Sequence, residues 1–116
     1  MLTRRALLLG LLAVATVAGA APSAAEQARI DALVDGIERE PSLKFVRNGR
    51  GYGAIDAARF LREKQKAMGD KVRSAEDFIE QIATRSSTTG QPYLIRFADG
   101  REQPAAEFLR ARLAPR

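Results

Sequence analysis

The sequence predicts a small α+β domain of two β-hairpins packed against helices, with the element order αββααββα. Two tight-turn signals follow strand-like segments, Asn48-Gly49 after residues 43–47 and Asp99-Gly100 after residues 93–97. Outside these hairpins, apolar residues recur at helical spacing. A chain of 116 residues is long enough for one ordinary domain and too short for two.

The first helix is predicted over residues 23–40. Ser23 and Glu26 have the capping-box spacing, in which a hydroxyl and a carboxylate bind free amides at the start of a helix. Pro41 ends this helix, because proline disfavours helical conformation at the residue before it. The apolar face carries Ile30, Leu33, Val34 and Ile37.

The remaining elements follow from the same rules of spacing. Residues 54–68 predict a second helix that ends at Gly69, and Ser74 with Asp77 forms a capping box for a third helix over 73–85. Pro104 is expected in the first turn of the last helix. The residues predicted to face the core are Leu43, Phe45, Ala54, Ala57, Ala58, Leu61, Met68, Phe78, Ile79, Ile82, Tyr93, Ile95, Phe97, Ala105, Phe108, Leu109 and Leu113.

Two halves of this order resemble each other. The segment NGR at 48–50 leads to FLREK at 60–64, and DGR at 99–101 leads to FLRAR at 108–112. A duplicated hairpin–helix unit explains the likeness, and chance similarity over so few residues explains it as well. If the unit is duplicated, the two hairpins can share one sheet with helices on one face.

The first twenty residues predict a signal peptide. Arg4 and Arg5 precede a run without charges at 6–18, and small residues up to Ala20 form a signal-peptidase site. The run is shorter than the roughly 20 residues that span a bilayer, so we expect no membrane span after cleavage. We expect cleavage after Ala20, with Ala25 as the alternative, and the general secretory route rather than the twin-arginine route. The predicted organisation is a signal peptide at 1–20 and one periplasmic or secreted domain at 21–116.

The composition excludes several kinds of chemistry. The chain has no cysteine and no histidine, which rules out thiol nucleophiles, thiolate and imidazole metal sites and Ser-His catalysis. No acidic pair has the spacing of a metal site, so we expect neither a metal nor a cofactor. Without residues 1–20, the 19 basic residues fall by two to 17 against 14 acidic ones, a net charge of +3. These charges form no basic stripe, so we do not expect nucleic acid as a partner.

The first candidate site is the polar segment 86–90, which joins the third helix to a strand. One interpretation is a plain connecting loop, because Ser, Thr and Gly hydrogen-bond their own backbone in turns. A second interpretation is a nest of hydroxyl and amide donors that binds an anion or a glycan. The residues that would bind are then Arg85, Ser86, Ser87, Thr88 and Gly90.

A third interpretation of the same segment is a catalytic serine. Ser86 or Ser87 would need a lysine as its base, because the chain has no histidine. The sequence lacks the G-x-S-x-G pattern of the nucleophile elbow. The lysines that could serve are all predicted to be solvated, namely Lys64, Lys66 and Lys71.

The second candidate site is the turn of the first hairpin. Arg47 and Arg50 flank Asn48-Gly49 and can clamp a carboxylate or a phosphate. The alternative is an ordinary hairpin whose arginines are solvated and contribute little. Arg47 and Asn48 are therefore the second set of candidate binding residues.

Four segments together carry a family resemblance. In order and spacing, ARIDALVDGIE, FVRNG, SAEDFIEQIA and SSTTGQPYLIRF resemble the YfeK-like family of small exported bacterial proteins over residues 26–113. The resemblance implies a periplasmic domain of unknown function, without an assigned activity, cofactor or catalytic residue. It matches the family's serine-rich loop to Ser86 and Ser87 and its G-x-P-Y motif to residues 90–93. It also places Phe60 where relatives have a histidine, and we expect Phe60 to pack.

These observations lead to one leading hypothesis and two alternatives. The leading hypothesis is a non-enzymatic binding module of the cell envelope that contacts a protein or an anionic glycan. The first alternative is a serine hydrolase-like enzyme that uses Ser86 or Ser87 with a lysine base. The second is a structural or assembly component of the envelope, which predicts an exposed apolar patch of several hundred Å².

Overall fold

The secondary structure follows the predicted order αββααββα. A computed structural model describes residues 21–115, so the predicted signal peptide and its cleavage after Ala20 lie outside the described residues. The helices are α1 (Ala24–Glu38), α2 (Ala54–Ala67), α3 and α4 (Ala105–Arg112), where α3 joins an α-helical turn, Ala75–Asp77, to a π-helical turn, Phe78–Ile82. The strands are β1 (Lys44–Arg47), β2 (Arg50–Tyr52), β3 (Leu94–Arg96) and β4 (Glu102–Pro104).

The two hairpins share one antiparallel sheet with the strand order β2-β1-β3-β4. The inner strands of the two hairpins pair with each other, with Phe45 opposite Ile95 and Val46 opposite Leu94. Side chains alternate between the faces of a strand, so Phe45 and Ile95 point together toward the helices. Val46 is also buried, but it does not belong to the core cluster.

Both hairpin turns use residues that tolerate a positive φ angle. Asn48 and Gly49 have φ angles of 51° and 82°, which is the predicted type I′ turn. Gly100 has a φ angle of 90° in the second turn, where the Phe97 N–H donates to the Arg101 carbonyl at 2.8 Å. A side chain with a Cβ is strained at such angles, so the two glycines fix where the chain reverses.

In each of the two predicted capping boxes, the serine hydroxyl accepts the expected hydrogen bond from a backbone N–H. The Ser23 Oγ accepts from the Glu26 N–H at 3.1 Å, and the Ser74 Oγ accepts from the Asp77 N–H at 3.0 Å. The Glu26 carboxylate also accepts from the Ala75 N–H at 2.9 Å. The cap of α1 therefore binds the first turn of α3 as well.

Three predicted boundaries differ from the structure. Helix α2 ends at Ala67, one residue before the predicted end, with Met68 as its C-cap, and Gly69 begins a 3₁₀ turn, Gly69–Lys71. The third helix spans 75–82 rather than the predicted 73–85, and its second half is a π-helical turn. Pro104 ends β4, opposite Leu94, and is the N-cap of α4, one residue before the predicted first turn.

The hydrophobic core lies between the sheet and the helices. The apolar face predicted for α1 is buried, and so are the apolar residues predicted for α3. Met68, Phe97 and Leu113 are only partly buried and pack at its edges. The largest fully buried side chains are Tyr93, Phe45, Phe78, Ile30, Leu61, Ile79, Ile82, Ile95, Leu109, Val34 and Val72. No helix between residues 21 and 115 is both long and apolar enough to cross a bilayer.

The two Phe-Leu-Arg segments occupy equivalent places. Leu61 and Leu109 are both 0% exposed. Arg62 and Arg110 are both exposed and form ion pairs with acidic residues of a neighbouring helix. The equivalent strands β1 and β3 pair antiparallel at the centre of the sheet. This arrangement agrees with a duplicated hairpin–helix unit.

Leu61→Ala tests whether α2 is held by burial. We expect the free energy of unfolding to fall by about 2–5 kcal/mol, because the substitution removes buried methyl groups and leaves a cavity. Ile55 on the same helix is 62% exposed, so Ile55→Ala should change stability by less than about 0.5 kcal/mol. Urea denaturation followed by circular dichroism measures both, and equal losses would contradict the packing described for α2.

Candidate binding pocket

A pocket of about 480 Å³ opens between helix α2, the end of β1 and the segment before β3. Volumes of this size are typical of sites for small ligands. The pocket brings together residues from both of the candidate sites that the sequence indicates. Its lining residues are Arg47, Phe60, Glu63, Lys64, Ala67, Met68, Ser86, Ser87, Thr88 and Tyr93.

Ser86 organises the loop that forms one wall of the pocket. It is 5% exposed, and its Oγ accepts from the backbone N–H groups of Thr88 and Thr89, each at 3.2 Å. Its own N–H and carbonyl bind the Gln91 carbonyl and the Gly90 N–H. The Ser86 hydroxyl therefore closes a compact turn, which leaves Ser87 and Thr88 exposed at the pocket.

The loop is fastened to the first hairpin. The Thr89 hydroxyl donates to the Asn48 Oδ1 at 2.6 Å. Gly90 has a φ angle of 76°, which permits the loop to turn back toward β3. Asn48 and Gly90, two of the predicted binding residues, lie outside the pocket lining and shape the loop.

Arg47 forms the cationic wall of the pocket opposite the loop. Its guanidinium carbon lies 4.1 Å from the centre of the Phe60 ring and 5.4 Å from that of Tyr52, both within the range of cation–π contacts. It forms no ion pair with any residue of 21–115. Phe60 packs as expected, since it also contacts the Phe45 and Tyr93 rings.

Lys64 is partly buried in the pocket, so the prediction that it is solvated was wrong. Its Nζ donates to the Tyr93 hydroxyl at 2.9 Å and to the Arg85 carbonyl at 3.0 Å. Burial lowers the pKa of Lys64 from its usual value, and the charges of Arg47 and Arg85 lower it further. The described residues give Lys64 no acidic partner within ion-pair distance.

Tyr93 forms the floor beneath Lys64. It is 2% exposed, its ring centre lies 4.7 Å from the Lys64 Nζ, and it meets Phe60 edge-on at 5.7 Å. Burial raises the pKa of Tyr93, although the charge of Arg47 opposes the shift. The phenol therefore stays protonated at neutral pH and accepts a hydrogen bond from Lys64.

The electrostatic character of the pocket is positive. Arg47 and Lys64 line it, and Arg85 is close enough to affect the Lys64 pKa although its side chain is not in the lining. Glu63 is the acidic residue of this lining. Within residues 21–115, no group of three acidic side chains is placed to hold a metal ion. The arrangement suits an anion rather than a cation.

The geometry does not favour the hypothesis of a catalytic serine. The Ser86 Oγ is within hydrogen-bond distance of two backbone amides and of the Thr88 hydroxyl at 3.1 Å. Lys64 directs two of its hydrogen bonds to Tyr93 and to the Arg85 carbonyl. Ser87 is exposed and has no base bound to it among the described residues. A nucleophile needs its base within hydrogen-bond reach, and the described contacts do not show one.

The contribution of helix α2 to the pocket was missed by the sequence reasoning. Phe60, Lys64 and Met68 are four residues apart, and Glu63 and Ala67 lie beside them. This spacing places all five on one stripe of a helix, next to the stripe that contains Leu61. The signal was present in the sequence, because a lysine lay between an aromatic residue and a methionine on that stripe.

Comparisons with known proteins agree with the resemblance found in the sequence. Residues 24–115 match the family of unknown function DUF5329. The chain belongs to this family. It is also 38% identical to the uncharacterised protein YfeK of Salmonella typhimurium over 71 residues, which are 61% of this chain and 59% of that protein. The match thus spans about three-fifths of the relative's length. No solved structure matches this member of the DUF5329 family.

Replacing the two serines of the loop 86–90 should have different effects on stability. We expect Ser86→Ala to lower the free energy of unfolding by about 1–3 kcal/mol, because two partly buried amides lose their acceptor. Ser87 is exposed, so Ser87→Ala should change stability by less than about 0.5 kcal/mol. Urea denaturation distinguishes them, and an unchanged stability for Ser86→Ala would show that its hydroxyl does not hold the loop.

Proposed function

We propose that the protein is a non-enzymatic binding module of the cell envelope whose pocket holds an anionic group. The observation that carries this proposal is the convergence of Arg47 and Lys64 in one pocket without acidic partners among the described residues. Two neighbouring cations repel each other, and the lowered pKa of Lys64 reflects that repulsion as well as burial. An anion placed between them would relieve it.

The surrounding contacts support a preformed site. Arg47 is stacked on Phe60, and Lys64 is held by Tyr93 and the Arg85 carbonyl, so neither side chain needs to be ordered when a ligand arrives. Preorganisation of this kind reduces the entropy lost on binding. The link between Thr89 and Asn48 holds the loop at the pocket in the same way.

The envelope location rests on the N-terminal sequence. A basic start, an apolar run and small residues up to Ala20 form the pattern of a secretory signal. Cleavage after Ala20 would leave the Ser23 cap of α1 in the mature chain, whereas cleavage after Ala25 would remove it. An exported module would meet anionic groups on both proteins and glycans of the envelope, which are the two partner classes that the sequence suggests.

The alternative of a structural or assembly component has less support. It predicts a large apolar patch, but Ile55 is the one large hydrophobic residue that is exposed between residues 21 and 115. An isolated exposed apolar side chain is ordinary for a soluble surface. The pocket, by contrast, combines charge, volume and fixed side chains.

Arg47→Gln tests the anion site directly. The probes are acetate, glucuronate and inorganic phosphate, titrated into the ¹⁵N-labelled mature domain while the amides of Ser87 and Thr88 are followed by NMR. We expect saturable shifts with at least one probe, weakened about tenfold or more in Arg47→Gln because a charged hydrogen bond is lost. Arg50 is exposed and outside the lining, so Arg50→Gln is the matched control.

Two results of that titration would contradict the proposal. The first is the absence of saturable shifts at the pocket with all three probes and with carboxylates that carry an apolar group. The second is an equal loss of affinity in Arg47→Gln and Arg50→Gln, which would mean that only the overall charge of the surface matters.

The affinity for a carboxylate probe should also depend on pH. Lys64 attracts the anion only when protonated, and its pKa in the free protein is lowered. We therefore expect affinity to fall as pH rises through that pKa, at a pH below the ordinary lysine value of 10.5. Burial raises the pKa of Tyr93, which favours its neutral form. In Lys64→Arg the charge persists, so the same titration should be flat, and a decline of equal size in Lys64→Arg would assign the effect to another group.

A further inference from the structure

We infer that the ligand of the pocket is an organic monocarboxylate that carries an apolar group. The carboxylate would lie between Arg47 and Lys64, and the apolar group would lie against Phe60, Ala67 and Met68. This inference rests on the proposed function, because it names the chemical class of the anion that the pocket binds.

The charge of the lining suits a single negative charge. Among the side chains that line the pocket, Arg47 and Lys64 contribute two positive charges and Glu63 one negative charge, a net charge of +1. Arg85, which also acts on Lys64, lies outside this lining. A phosphate monoester carries about −1.5 to −2 at neutral pH, more than the lining would neutralise. A carboxylate carries one charge and matches it.

The hydrogen-bond donors that remain also suit a carboxylate. An ammonium has three N–H donors, and Lys64 uses two of them for Tyr93 and the Arg85 carbonyl. One donor of Lys64 is left for a ligand. The Arg47 guanidinium lies over the Phe60 ring and forms no ion pair with the described residues, so its N–H groups can bind both oxygens of a carboxylate in the usual forked geometry.

The rest of the pocket is mainly carbon. Phe60, Ala67 and Met68 form one wall on the stripe of α2, and the Tyr93 ring continues it. A glycan would bring many hydroxyl groups against this wall, and polar groups buried without partners lose affinity. The Thr88 hydroxyl is already within hydrogen-bond distance of Ser86, which leaves the Ser87 hydroxyl and the Glu63 carboxylate as the other polar side-chain groups of the lining besides the two cations and the Tyr93 hydroxyl. An acyl, aryl or aliphatic group fits these surroundings.

Two sources can supply this chemistry. One is a free carboxylic acid with an acyl or aryl chain. The other is the C-terminal residue of a peptide with an apolar side chain, whose carboxylate and side chain present the same pair of groups. The experiment therefore includes both sources.

The test is a binding panel measured by NMR titration of the mature domain. The free acids are octanoate and 3-phenylpropionate, and the peptide is Ala-Ala-Ala-Phe with a free C-terminus. The matched neutral ligands are 3-phenylpropionamide and the same peptide with an amidated C-terminus. Acetate, glucuronate and inorganic phosphate represent anions without an apolar group.

We expect at least one apolar carboxylate to bind about tenfold or more tightly than acetate and glucuronate, because several buried CH₂ groups add to the charge interaction. Each neutral amide should bind at least tenfold more weakly than its acid. Tighter binding of the peptide than of the free acids would identify a protein C-terminus as the source, and the reverse order would identify a free acid.

Met68 variants test the apolar wall separately. Met68→Gln keeps the length of the side chain but places an amide in the wall, so affinity for 3-phenylpropionate should fall several-fold while affinity for acetate stays constant. Met68→Leu keeps an apolar surface and should retain the affinity for both. A Met68→Gln variant that loses its fold would be recognised by circular dichroism, and the ligand panel on the wild-type chain still decides the inference.

The outcomes separate this inference from the function on which it rests. If glucuronate or phosphate binds at the pocket as tightly as the apolar acids, the inference is overturned and the anion-binding function stands. If none of the ligands shifts the amides around the pocket, both fail. If the neutral amides bind as tightly as the acids, the pocket recognises apolar groups alone, and both fail for that reason.

Discussion

The pairing of β1 with β3 is the constraint on which the rest of the structure depends. It joins the two hairpins into one sheet and sets Phe45 opposite Ile95 and Val46 opposite Leu94. Continuing this register by one residue sets Arg47 across from Tyr93, on the face that the helices cover. A register shifted by one residue would turn Arg47 to the opposite face and expose Phe45. The position of the cationic wall therefore follows from the same pairing that buries the core.

The position of Lys64 is electrostatically unfavourable for its charged form. A lysine on a helix surface usually keeps its ammonium in water, but this one lies over the Tyr93 ring and close to two arginines. Burial and like charges both disfavour its protonated form. The hydrogen bonds to Tyr93 and to the Arg85 carbonyl offset part of that penalty. A lysine whose pKa is lowered by burial and by like charges is often found at a functional site, which agrees with the binding function proposed for the pocket.

The fold could be predicted from the sequence to a greater extent than the site. The turn residues Asn48, Gly49 and Gly100 and the apolar spacing of α1 are local signals, and each acts as local rules require. Pro104 lies one residue before its predicted place, at the N-cap of α4, because it also ends β4 and pairs with Leu94 of β3, which no local pattern reports. The pocket likewise depends on long-range contacts. It needs Arg47, Lys64 and Ser87 to meet from three separate segments, and no local pattern reports such a meeting.

The hydroxyls of Ser86 and Thr89 form hydrogen bonds that hold the loop 86–90 in its conformation. Ser86 holds the turn, and Thr89 fastens it to Asn48. The two hairpin–helix units differ at the position that this loop covers. Lys64 of FLREK corresponds to Arg112 of FLRAR. The guanidinium carbon of Arg112 lies 3.9 Å from the centre of the Phe108 ring. Arg112 is exposed, however, and approaches the Glu40 carboxylate at 4.0 Å. The first unit differs because the loop 86–90 covers its helix beside β3. The same local motif therefore faces solvent in one unit and lines a pocket in the other, where Ser86, Ser87 and Thr88 form the opposite wall.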